Sequence, residues 1–110
     1  MKIKELYKEL GFELLTTCPD TEVVIAYTSD LLSDVMGNAP DESALITIQA
    51  HKNTIAVASL AGINAIIICN NRKAPDEMIE AANNENIAIL KTPLSQFEAS
   101  IKVAKTLGIY

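Results

Sequence analysis

The residues best suited to chemistry in this chain are its only histidine, His51, and the amides and cations that accompany it. Gln49, Lys52 and Asn53 share its segment, and Asn70, Asn71, Arg72 and Lys73 form a second polar cluster. An imidazole can act as a general base or as a hydrogen-bonding contact to a ligand. As a base it needs an adjacent nucleophile or metal, and no spacing here identifies one. A single histidine cannot build a multi-histidine zinc site. Cys18 and Cys69 stand far apart and form no CxxC, so they read as separate buried or half-buried thiols rather than a redox pair or metal site. Gly11, Gly37, Gly62 and Gly108 are too scattered for a dinucleotide fingerprint or a Walker loop. The pairs Asp41-Glu42 and Asp76-Glu77 fall in a turn and in a first helical turn, and imply no buried acid pair. The sequence therefore assigns no catalytic residue, no metal ligand and no cofactor. What remains is binding chemistry, in which cations and amides meet a small anion.

Those groups have to be held by elements that a chain of 110 residues can build. This length suits one domain, residues 1–110, able to bury about two-thirds of its unfolded surface without a metal or disulfide. Fourteen acids against nine bases give a net charge of −5, which excludes a general nucleic-acid binder and a basic membrane-surface helix. There is no Trp, and the aromatics do not interleave with a basic run, so no base-stacking platform is expected. The opening MKIKELYKELGFELL lacks the apolar core of a signal peptide, and no stretch approaches the ~20 apolar residues of a membrane span. A cytoplasmic protein is expected.

Ile3, Leu6, Tyr7 and Leu10 recur at helical spacing, and Gly11 follows as a stop. Phe12 to Thr16 reads as a short strand, and Cys18-Pro19-Asp20 as a turn. Four apolar runs rich in β-branched residues follow: Val23 to Ala26, Ala44 to Ile48, Ala65 to Ile68 and Ile87 to Leu90. A strand apolar at successive positions is buried on both faces, as in a parallel sheet covered by helices. Between them lie helical patterns, one opened by Ser29-Asp30 and carrying Leu31, Leu32, Val35 and Met36. A second is opened by Asn53 and stopped by Gly62, and a third by Pro75-Asp76-Glu77. A fourth is opened by Thr92-Pro93 as N-cap and N1, with the stripe Leu94, Phe97, Ile101, Ala104 and Leu107. The expected fold is three-layer α/β/α with a small, mainly parallel sheet and right-handed crossovers.

In an open parallel sheet, ligands bind outside the carboxyl ends of the strands, where helix N-termini favour anions. The four exit loops there hold Tyr27 to Asp30, Gln49 to Asn53, Asn70 to Lys73, and Lys91 to Pro93 followed by Ser95. Lys52, Arg72, Lys73 and Lys91 place four of the nine bases on this one edge of an acidic protein. Two readings stand side by side. Capping alone accounts for Thr28, Ser29, Asn53 and Thr92. Solvation alone accounts for the loop cations. Asn70-Asn71 reads as a tight turn, since Asn tolerates the left-handed region. The candidate ligand contacts are Ser29, Gln49, His51, Lys52, Asn53, Asn70, Arg72 and Thr92.

Three stretches, YTSDLLSDVM (27–36), LITIQAHKNTIAVASL (45–60) and AIIICNNRKAPDEMIEAANNENIAILKTPLSQFE (65–98), resemble the DRTGG domain family. Asp20-Thr21-Glu22-Val23-Val24 stands near where the naming motif would fall, and Gln49-Ala50-His51-Lys52-Asn53 replaces the family's frequent G-D-R-x-D turn. The Q-A-H-K-N turn is similar to that of free-standing bacterial members. The resemblance implies a fold like the N-terminal domain of HPr kinase, a regulatory rather than catalytic role, and pairing as homodimers. The leading expectation is thus a non-catalytic regulatory domain that binds a small anionic or nucleotide-like ligand, or a partner protein, at the strand exits. The alternative is a protein-interaction module acting on a redox enzyme or kinase, through the Leu31–Met36 face. A third reading, an enzyme pairing His51 with a nearby hydroxyl, requires a deep pocket that holds both.

Overall fold

A computed structural model describes residues 1–110. In chain order the elements are α1 (Ile3–Leu10), β1 (Glu13–Leu14), β2 (Ile25–Thr28), α2 (Leu32–Asn38), β3 (Ser43–Thr47), α3 (Lys52–Ala61), β4 (Ala65–Ile68), α4 (Asp76–Asn84), β5 (Ala88–Lys91) and α5 (Gln96–Leu107). The five strands form one sheet in the order β1-β5-β4-β3-β2. β2 to β5 are parallel, and only β1 runs against its neighbour β5.

The apolar runs explain the layering. Every residue of β3 and β4 is buried. Side chains alternate between the two faces of a strand, so Ala44, Ile46, Ala65, Ile67, Ala88 and Leu90 pack with Ile3, Leu6 and Leu10 of α1 and with Ala99 and Val103 of α5. On the other face Leu45, Ile66, Ile68 and Ile89 pack with Val35 of α2, Ile55 and Ala58 of α3, and Met78 and Ala82 of α4. Each fully buried Ile or Leu contributes about 1.5–3 kcal/mol. From β2 to β5 the neighbours follow in chain order, so crossovers of one hand carry α2, α3 and α4 to the same face. The three-layer α/β/α architecture is therefore present, with two helices on one side and three on the other. No helix is long and apolar enough to cross a membrane.

Several boundaries depart from the sequence expectation. The first run is shifted: Val23 is buried beneath α1 ahead of the sheet, and the strand is Ile25–Thr28. β1 shrinks to two residues of the expected five. α2 begins at Leu32, because the Ser29 hydroxyl accepts from Leu31 N–H (3.2 Å) and holds that turn open. α3 begins at Lys52, one residue before Asn53, with His51 in extended conformation at its N-cap position. α5 does not begin at Thr92-Pro93. Its N-cap is Ser95, in a capping box with Glu98: Glu98 N–H donates to Ser95 Oγ, and Ser95 N–H donates to Glu98 Oε1 (both 3.1 Å). Thr92 is instead buried, and its Oγ1 accepts from Leu94 N–H.

The largest correction concerns the face of α5. The expected stripe is split: Leu94 and Leu107 pack against the core, whereas Phe97 and Ile101 point outward, 74% and 42% exposed. The buried face carries Ala99 and Val103. Small residues there let the helix lie close over the sheet, and α5 is left apolar on both sides.

Candidate functional site

All four parallel strands end at one edge, at Thr28, Thr47, Ile68 and Lys91. The expected shared rim is therefore real, and it is cross-braced. Gln49 Nε2 donates to Asp30 O (2.6 Å), tying the β3 exit to the β2 exit. Arg72 Nη1 donates to Ile48 O (2.9 Å), tying the β4 exit to the β3 exit. Asn70 N–H and Asn71 N–H donate to Leu94 O (2.8 Å) and Thr92 O (2.9 Å), tying the β4 exit to the β5 exit.

Ligand crevices in open parallel sheets form where adjacent exits turn to opposite faces. Here that happens between β4, which leads to α4 on one face, and β5, which leads to α5 on the other. The crevice is sealed. Asn70 and Asn71 adopt φ of 58° and 54°, left-handed as their types allow, and this turn aims both amides at the β5 exit. Thr92, with 1% of its surface exposed, is part of the seal. Thr92, Asn70 and Ser29 thus act as braces within the rim.

The open part of the rim is the corner where α3 begins. The segment before it is fixed by the flanking threonines: Gln49 N–H donates to Thr47 Oγ1 (3.1 Å), and Thr54 Oγ1 donates to Gln49 O (2.9 Å). Because Gln49 donates from Nε2 to Asp30, its Oε1 is the acceptor that faces His51 Nε2 at 2.9 Å. The imidazole then carries its proton on Nε2 and leaves Nδ1 open. It does not cap the helix, and no other side chain does. Lys52 and Asn53 occupy the first turn of α3, which contains no acid. At α4, by contrast, Asp76 and Glu77 already complement the helix dipole.

His51, Lys52 and Asn53 line an open depression of about 490 Å³ together with Glu77. Sequence reasoning placed Glu77 in a first turn and missed its approach to this corner, because the packing of α4 beside α3 sets it there. No serine or threonine lines the depression. The hydroxyl partner that a His51-dependent enzyme requires is therefore not at hand. Of the expected contacts, the structure brings His51, Lys52 and Asn53 together, with Gln49 behind His51 and Arg72 anchored to Ile48.

A second polar cluster escaped the sequence reading. Tyr27 OH donates to Asp34 Oδ2 (2.8 Å), and Asn38 Nδ2 donates to Asp34 Oδ1 (2.9 Å). The Tyr27 hydrogen bond, helped by Ser29 and Asn38, holds the Asp34 carboxyl below the usual carboxylate range, and the same bond raises the Tyr27 phenol. Cys69 is buried beneath the rim, and desolvation pushes its thiol up to about 11.

Residues 45–107, from β3 to the end of α5, match the family model for the HPr serine kinase N terminus. A solved structure of the CBS and DRTGG domains of the regulatory region of Clostridium perfringens pyrophosphatase, complexed with the activator diadenosine tetraphosphate, is similar in fold, with a TM-score of 0.69 at 17% identity. The match covers 96% of this chain and 46% of that one, so the protein spans about half of the similar structure. No curated protein sequence matches the chain. By a sheet built in chain order, a rim of four parallel exits and a family match over more than half its length, the chain belongs to the HPr serine kinase N-terminal family and has a DRTGG-like fold.

Proposed function

We propose that residues 1–110 form a non-catalytic regulatory domain of the cytoplasm, which senses a small anionic or nucleotide-like ligand at the α3 corner of the rim. The observation that carries this reading is the uncapped, acid-free start of α3, with Lys52 in its first turn and Arg72 anchored one residue from Gln49. A helix N-terminus offers amides and a positive dipole end to an anion. The Arg72 guanidinium has five N–H donors, only one of which is engaged by Ile48 O, and Lys52 adds a mobile cation. Charge-assisted hydrogen bonds contribute about 1.5–3 kcal/mol each. Protonation of His51 would add a donor at Nδ1. The fold is shared with a regulatory region whose activator is a dinucleoside tetraphosphate, which supports a nucleotide-like class.

The test is a thermal-shift panel of nucleotides, dinucleoside polyphosphates and phosphometabolites. Ligand at about 100 times its Kd stabilises by about 2.7 kcal/mol. Arg72→Ala and Lys52→Ala should weaken the shift, and Glu77→Gln should strengthen it by removing the one carboxylate in the depression. A panel without any shift would overturn the reading. The alternative, a protein-interaction module for a redox enzyme or kinase, is favoured by one observation: Leu31, at the N-cap position of α2, and Met36 on α2 are 60% and 44% exposed. A stable partner lost on Met36→Asp, together with no small-molecule response, would favour it.

A further inference from the structure

We propose that the furrow between α3 and α4 is a docking groove for a basic amphipathic helix of a partner protein. The inference is separate from the ligand reading and from the Leu31–Met36 face, and holds or fails whether or not the rim takes an anion. α3 and α4 run back along the same face of the sheet and so lie side by side. Ile55 and Ala58 of one, and Met78 and Ala82 of the other, are committed to the core. Above them the facing residues are small, Ala56 on α3 and Ala81 on α4. A gap therefore stays open along the two helices. It continues from the α3 corner as joined hollows of about 290 and 380 Å³ that share Lys52, Ala81 and Asn84. Leu60 stands over its far end, 77% exposed. A lone exposed leucine is ordinary on a surface. One that borders an apolar furrow marks a place for a partner.

Shape and charge together select the occupant. On α3, Lys52, Ala56 and Leu60 follow at one-turn spacing, and on α4, Glu77, Ala81 and Glu85 do the same. Two such ridges with a small-residue trough between them fit a third helix, whose large apolar residues enter between Ala56 and Ala81. An extended peptide fits less well, because the backbone groups of both walls are already bonded within their own helices and offer it no ladder. The α4 wall carries Glu77, Glu80 and Glu85 against one base, Lys52. Lys52 and Glu77 share the rim end of the furrow, which leaves Glu80 and Glu85 without a base. None of these carboxylates forms an ion pair within the chain, where Lys2 to Asp20 is the one such contact. Ser59 Oγ donates to Glu85 Oε2 (3.1 Å) and holds that carboxylate at the furrow. Neither helix has a basic residue in its last turn, so two negative dipole ends add to the same field. Lys and Arg on the flank of an incoming helix answer this wall. A second copy of this chain does not, since a twofold contact here would set the carboxylates against their own counterparts. An anionic membrane surface is repelled for the same reason.

The test pans a displayed library of helical peptides, about 12–15 residues long, against the full chain. The peptides carry apolar residues at i, i+3, i+4 and i+7, with Lys, Gln or Glu drawn at random on both flanks. Selected peptides should carry Lys on at least one flank. Leu60→Ser should weaken them by about tenfold or more, and Glu80→Lys by about fivefold. Both side chains are exposed, so the circular dichroism spectrum of either variant should be unchanged. Panning against Glu80→Lys combined with Glu85→Lys should select Glu in place of Lys. On titration, amide shift changes should gather at Ala56, Leu60, Ala81 and Asn84. No enrichment, a preference of the wild type for Glu or neutral flanks, binding unaffected by Leu60→Ser, or shift changes gathered elsewhere would each overturn the proposal. So would a sedimentation mass that rises with concentration and falls back in Leu60→Ser, which assigns the furrow to a second copy.

Discussion

The sealed crevice between β4 and β5 depends on a backbone conformation, and this gives a quantitative test. Asn70 and Asn71 both stand in the left-handed region, at φ 58° and 54°. Their amides close the rim on Leu94 O and Thr92 O. Replacing both by Ala forces two Cβ atoms into that region, at about 1–2 kcal/mol each. Replacing both by Gly removes that strain but loosens the unfolded chain, at about 0.4–1 kcal/mol per position. The Ala pair should therefore be less stable than the Gly pair by about 1–2 kcal/mol, although Ala normally stabilises relative to Gly. For a domain of this size the gap corresponds to roughly 4–8 °C of melting temperature per kcal/mol. Urea unfolding followed by circular dichroism measures it directly, and an unchanged m-value keeps the comparison two-state. If the Ala pair is as stable as the Gly pair, the left-handed turn is not what closes the rim, and the crevice must be considered open.

Four further expectations follow from single residues. Ser95→Ala should lose the side-chain arm of the α5 capping box, the acceptor for Glu98 N–H, and cost about 1 kcal/mol in urea unfolding, whereas Ser95→Asp should retain most of that stability. Cys69 should resist a thiol reagent while Cys18 reacts, giving one fast thiol in the native protein and two in denaturant. The raised Cys69 pKa also acts on stability: the folded thiol stays protonated while the unfolded one ionises from about 9, so stability should fall as pH rises from about 9 to about 11, and Cys69→Ala should flatten that fall. Asp34, held low by Tyr27, contributes stability above the ordinary carboxylate range that is lost as pH falls through its lowered value. In Tyr27→Phe the carboxyl resonance of Asp34 should titrate closer to 3.8.

The parallel sheet was legible because burial on both faces leaves no polar positions. Ala44 to Thr47 and Ala65 to Ile68 can be nothing but central strands. The stops at Gly11 and Gly62 were legible because both sit left-handed after a periodic run. The α5 face was not, since periodicity shows that a stripe exists but not which of two stripes the sheet selects. Phe97 and Ile101 outweigh Ala99 and Val103 in hydrophobicity, yet the sheet takes the smaller pair. The start of α5 was misjudged for a related reason. Thr92-Pro93 and Ser95 with Glu98 both carry capping chemistry, and only the burial of Thr92 decides between them. At the rim, the residue types were readable, but their mutual bonding was not. Gln49 to Asp30 and Arg72 to Ile48 join residues distant in sequence.

The order of the strands explains why the proposed site lies at a corner rather than in a cleft. A sheet whose parallel strands follow in chain order sends its crossover helices to one face, and exits that turn the same way leave no gap between them. The only divergence is at β4 and β5, and there two backbone hydrogen bonds fill the space where a ligand would enter. Any ligand must then use the outer surface of the rim. Among the helices that start there, α4 brings its own acids and α5 its own capping box. Only α3 starts on the three-helix face with no acid and no cap, with Lys52 in its own first turn and Arg72 of the next loop anchored to Ile48 O. A shallow polar corner of this kind suits recognition of a charged group by a few directed hydrogen bonds. It does not enclose a substrate or exclude water from it.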